Sequence, residues 1–189
     1  MKGKGARASC HANSLNAQLV LRAPIETTER TSLNPALYQT LAYAHILGVI
    51  LLAGNITITA FWKVLADMTK DAKQIAFANR AVIIADWLFT LPGIVLTLGG
   101  GIGISLMGQW PLFEVSWLSW SVVWFVVAGL LWMIFLIPLQ IRQNRAAKLF
   151  AETGDIPDSY WRDAKWWITI GLIATIPLLI ILYLMVAKP

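Results

Sequence analysis

Charge is scarce in this chain. Asp, Glu, Lys and Arg make up 13% of its 189 residues, about half of the roughly 25% usual in soluble domains. Once the long apolar runs are set aside, each remaining polar segment is too short to bury a core of its own, which excludes a separate soluble enzyme domain. Cysteine is nearly absent: Cys10 stands alone, so there is no internal disulfide framework and no thiolate cluster. Histidine is represented by His11 and His45 only, and the apolar runs can therefore offer a metal one imidazole and no second. The Gly-x-Ser-x-Gly elbow, the His-Glu-x-x-His helix and paired intramembrane carboxylates are all missing. These absences point away from an enzyme. A net charge of +5 is no evidence for nucleic acid, because the basic residues gather in two short connections and the N-terminal stretch, where membrane insertion already accounts for them.

What is present is apolar surface. Hydrophobic residues make up 58% of the chain and the mean hydropathy is +0.65, a membrane composition. Four runs are long enough to cross a bilayer, over about 37–62, 81–107, 116–140 and 166–187. The fold class expected is an all-α integral membrane bundle of four transmembrane helices, with a membrane domain over 36–189 and the bilayer as its first partner. Residues 1–35 are polar and small, expected to be a disordered tail. Nothing in that tail continues the pattern that begins at Asn34-Pro35, as would be seen if it came from start-site choice. Its Cys10-His11 pair could touch a metal, but two adjacent ligands on a loose tail make a poor site.

Four crossings put both termini on one side. The first and third connections carry Lys63, Lys70, Lys73, Arg80, Arg142, Arg145, Lys148, Arg162 and Lys165, whereas the short second connection from Gly108 to Ser116 has no Lys or Arg. The excess of positive charge places those two connections in the cytoplasm of a bacterial inner membrane and the termini in the periplasm. Trp117, Trp120 and Trp124 open the third run, and Trp161, Trp166 and Trp167 precede the fourth, as headgroup-level anchors would. Asp158 is placed to cap the last helix.

Polar residues inside the runs are the candidates for function. At about 100° per residue Tyr38, His45, Gly48, Asn55 and Thr59 share one stripe of the first helix. Asn79, Asp86, Thr90, Gly93, Thr97, Gly100 and Met107 form a stripe on the second, where small residues allow close approach. Pro92 removes a backbone donor, and Thr90 is near enough to satisfy the carbonyl of Leu88 that it frees. His45 falls near the midplane at the depth of Thr97, while Asn55 and Asp86 lie toward the basic end. Three readings follow. In the first, Asn55 bonds Asp86 and His45 bonds Thr97 or a carbonyl, each cementing the bundle, and the protein is a non-catalytic subunit or scaffold beside a membrane protein partner or a second copy. In the second, His45 is an axial ligand to haem iron. In the third, Asp86, Thr90, Thr97 and His45 form a polar file for protons or a metal.

Several stretches carry a family resemblance. Ala85-Asp86-Trp87-Leu88-Phe89-Thr90-Leu91-Pro92-Gly93, Trp117-Leu118, Pro138-Leu139-Gln140-Ile141-Arg142 and Leu184-Met185-Val186-Ala187-Lys188-Pro189 resemble the bacterial integral membrane family catalogued as domain of unknown function 2269, over Pro35 to Pro189. More distantly, Tyr43-Ala44-His45-Ile46-Leu47-Gly48 with Ala53-Gly54 is similar to the first helix of the four-helix membrane group that includes bacterial protoporphyrinogen oxidase and the copper-resistance D proteins. That wider resemblance implies haem b held by His45, in a redox or electron-transfer protein. The sequence departs from the group in having no further histidine inside a span.

Overall fold

A computed structural model describes residues 34–189 apart from Leu112. The polar tail, with Cys10 and His11, lies outside the described residues. Each apolar run is a helix: α1 (Pro35–Thr69), α2 (Ala72–Met107), α3 (Ser116–Thr153) and α4 (Asp158–Ala187). Among the described residues there is no strand, and the chain is an all-α four-helix membrane bundle. The helices hold 30 to 38 residues, about 45–57 Å at 1.5 Å per residue, against some 30 Å of hydrocarbon. They therefore outrun the bilayer, and the surplus lies at the basic end.

That end contains the tightest core. Ile75 of α2, Ala147 and Phe150 of α3, and Tyr160 and Ala164 of α4 pack into one buried cluster, with the Phe150 and Tyr160 rings edge to face at 5.1 Å. Apolar residues there can gain from leaving water, a driving force that lipid does not supply inside the bilayer. The connections are tight. α1 runs on past Trp62 to Thr69, Lys70 turns the chain at φ 55°, and Asp71 caps α2 by accepting from the backbone N–H of Lys73 and Gln74 at 2.9 Å each. α3 stops at Gly154, whose φ of 78° suits a residue without Cβ. Asp158 is not the cap expected: Pro157 holds that position and Asp158 is the first helical residue, where its charge faces the positive end of the helix dipole.

Two of the helices widen mid-span. Asp86–Thr90 in α2 and Trp132–Leu136 in α3 are single π-helical turns, closed by the N–H of Leu91 on the Asp86 carbonyl and of Ile137 on the Trp132 carbonyl. Each is followed within two residues by a proline, Pro92 or Pro138. In a regular α-helix the pyrrolidine ring would collide with the carbonyl four residues back, and a wider turn carries that carbonyl aside. Thr90 consequently does not serve the Leu88 carbonyl as expected. Its hydroxyl goes to Asp86 at 2.8 Å.

α1 and α2 cross at glycine. A Cβ added to Gly48 would lie 2.5 Å from the Thr97 backbone nitrogen and 2.8 Å from the Gly93 carbonyl, and one added to Gly100 would lie 2.7 Å from both the His45 nitrogen and the Leu41 carbonyl. Only hydrogen fits at either place. The two polar stripes expected from periodicity thus face each other.

Candidate functional site

His45 reaches across the glycine contact. Its Nδ1 donates to the Thr97 carbonyl at 2.7 Å, which fixes the tautomer and ties the first turns of α1 to the last turns of α2. The ring lies on glycine here too, since a Cβ on Gly101 would meet Nδ1 at 3.0 Å and Cε1 at 3.1 Å. The Thr97 hydroxyl is buried and makes no hydrogen bond among the described residues.

Asp86, on the π turn of α2, is a second node. Its Oδ1 accepts from Asn55 Nδ2 at 3.0 Å and from Thr90 Oγ1 at 2.8 Å, and its Oδ2 accepts from Gln140 Nε2 at 3.0 Å. Asn55 also donates to Thr90 Oγ1 at 2.8 Å. One carboxylate therefore joins α1, α2 and α3. The Trp132 side chain is a further hydrogen-bond partner, and every donor to the carboxylate is neutral. Lys63 and Arg142, which sequence position makes available to it, are engaged elsewhere: Lys63 with Asp67 at 2.6 Å and Arg142 with Asp163 at 3.0 Å.

The Lys63 pair belongs to a cluster that periodicity does not disclose. Lys63 is 2% exposed, and its ammonium also donates to Tyr160 OH at 2.8 Å. Tyr160 OH donates to Asp67 Oδ1 at 2.6 Å and accepts from Asn79 Nδ2 at 3.0 Å. The ammonium lies 5.0 Å from the Tyr160 ring centre and 5.9 Å from that of Trp167. Trp167, expected as a headgroup anchor, is buried at 7% exposure instead. The only available sequence signal was the i, i+4 spacing of Lys63 and Asp67 on one helix face. Their partner lies more than 90 residues onward in the chain.

Between these nodes all four helices enclose a cavity of about 460 Å³. Asp86, Thr90 and Gln140 supply its polar wall, and Phe125, Trp132 and Trp167 are prominent in its apolar one. Its rim includes Thr57 and Phe61 of α1 and Leu172 of α4, all exposed on the outer surface of the bundle. The cavity thus opens sideways between α1 and α4.

A family model described as "Predicted integral membrane protein (DUF2269)" matches residues 39–189, which take in nearly all of α1 and the whole of α2 to α4. The chain belongs to the DUF2269 family. It is an integral membrane protein, with four helices long and apolar enough to span. No curated protein and no solved structure matches this DUF2269 chain.

The haem implied by the wider resemblance does not fit the residues around His45. A bond from Nδ1 to a carbonyl is what a metal-bound imidazole makes on its far side. However, the ring is pressed against Gly101 and lines neither the cavity in front of Asp86 nor the groove beside Trp62 and Phe77. Among the described residues no three His, Cys, Asp or Glu side chains come together to hold a metal. The polar file is divided as well. Thr97 and His45 lie roughly 16 Å along α2 from Asp86, eleven residues at 1.5 Å each, and the backbone contact of Gly48 with Gly93 lies between the two groups.

Proposed function

We propose that this DUF2269 protein is a non-catalytic structural subunit or scaffold of a bacterial inner membrane, with both termini in the periplasm and a membrane protein partner or second copy beside it. One observation supports this reading above the others. The intramembrane polar side chains His45, Asn55, Thr90 and Gln140 are all spent on joining one helix to another. The orientation rests on the basic connections, which share one end of the bundle while Gln109 and Trp110 lie at the other.

Two measurements test the proposal. In a Cys10→Ser background, Gln109→Cys should react with a membrane-impermeant maleimide in intact cells and Lys70→Cys only after lysis; the reverse pattern would invert the topology. Native mass spectrometry from a mild detergent should show a defined hetero-complex or homo-oligomer. A solitary monomer across several detergents and nanodiscs would end the scaffold reading.

A further inference from the structure

Inside the cavity the Asp86 carboxylate has its hydrogen bonds met and its charge unmet. Asn55, Thr90, Gln140 and Trp132 are its hydrogen-bond partners, all of them neutral, and together they answer the roughly four acceptor positions of a carboxylate. No Lys, Arg or His among the described residues pairs with it. An anion held away from water by lipid and protein is costly without a counter-charge. The structure could have placed Lys63 there, one helix turn beyond Thr59 on α1, yet Lys63 is turned to Asp67 and Tyr160 instead.

The remainder of the wall tells what kind of counter-charge fits. Trp132, Trp167 and Phe125 present aromatic surface, the best partner for a weakly hydrated cation, and the volume of about 460 Å³ lies within the range of small-molecule sites. Access is from the side, past Phe61 and Leu172, which are 56% and 67% exposed on the lipid-facing surface. An inorganic ion would have to lose its water to come that way; a cation carrying its own apolar body would not.

We propose that the cavity is a binding site for a lipophilic organic cation, which enters from the bilayer between α1 and α4, places its apolar body against Trp132, Trp167 and Phe125, and sets its positive centre beside Asp86. This goes beyond the scaffold role and is independent of it. Gly129 and Gly171, which line the same cavity, have nothing within 4 Å of where a Cβ would stand, so the bundle contains space there that packing does not need.

Tetraphenylphosphonium is the probe, and tetraphenylborate, of like shape and opposite charge, is its control. Both are titrated against the full chain in nanodiscs, with protein-free discs as the blank. The expected result is saturable phosphonium binding at one per chain, at least tenfold weaker in Asp86→Asn, and no saturable borate binding. Gly129→Leu, which fills the cavity while leaving Asp86 and its donors in place, should lose phosphonium binding with the bundle intact by circular dichroism. Phosphonium binding that is absent, or that is equal in folded Asp86→Asn, would overturn the proposal. So would borate bound as well as phosphonium, or binding unchanged in Gly129→Leu. If Asp86→Asn does not fold, the borate control and the Gly129 variant decide the matter.

Discussion

Lys63 carries a charge that the fold has taken out of water, and what happens to its partners measures how that is sustained. A buried cation is tolerated when it is paired and fully hydrogen-bonded, and removing one partner is far worse than never having built the pair. Asp67→Ala should therefore destabilise the protein by about 3–5 kcal/mol, seen as a fall in the thermal or denaturant midpoint in detergent. Tyr160→Phe deletes only the hydroxyl that serves Lys63, Asp67 and Asn79, and should cost about 1–3 kcal/mol. Replacing Lys63 and Asp67 together by apolar residues should recover most of the Asp67→Ala loss; a double variant as unstable as the single one would show that packing, not charge, governs this corner. Arg142 and Asp163 offer the contrast. The Arg142 side chain is 60% exposed while its partner Asp163 is buried, so Arg142→Ala is expected to cost less than Asp67→Ala, because the cation itself never left water, yet more than an exposed pair would.

Between α1 and α2 the governing quantity is the distance between backbones. Gly48 lies at a contact where a methyl group would meet backbone atoms, which cannot rotate aside, whereas a methyl on Gly54 of the same helix would meet nothing within 4 Å. Gly48→Ala should lower stability by about 1–3 kcal/mol or more through overpacking. Gly54→Ala should be neutral or stabilising by up to about 1 kcal/mol, because alanine loses less freedom in a helix. Equal behaviour of the two variants in a melting experiment would refute the crossing geometry. This contact was legible in the sequence, since Gly48 and Asn55 on one helix and Gly93, Thr97 and Gly100 on the other recur at helical spacing, and helical rotation is a local property. The π turns were not. Pro92 and Pro138 announced a disturbance, but whether a helix meets a proline by kinking or by widening depends on what its neighbours can fill.

Among the described residues, polar groups fall into separate layers: His45 with Thr97 toward the termini, Asp86 with its neutral donors toward the basic end, and Lys63 with Tyr160 further toward that end. Among the described residues no unbroken chain of side-chain hydrogen bonds joins these layers, and the glycine crossing lies between the first and the second. Proteoliposomes containing Asp86→Asn should accordingly equilibrate an imposed pH step at the same rate as those containing the unchanged protein, as read by an entrapped pH dye; a slower rate in the variant would restore the conducting file. Haem supplementation should likewise leave the purified protein without a Soret band dependent on His45, and a band lost in His45→Ala would contradict the fit of that ring against Gly101.

Composition and periodicity were enough to establish an all-α membrane bundle, the number of its crossings and the facing stripes of α1 and α2. Each of these follows from the length of an apolar run or from 3.6 residues per turn, quantities that any stretch of chain carries within itself. The meeting of Lys63 with Tyr160, the burial of Trp167 and the cavity in front of Asp86 depend on how α4 sits against α1 and α3. That placement is a balance of packing among helices distant in sequence, and only the assembled bundle decides it.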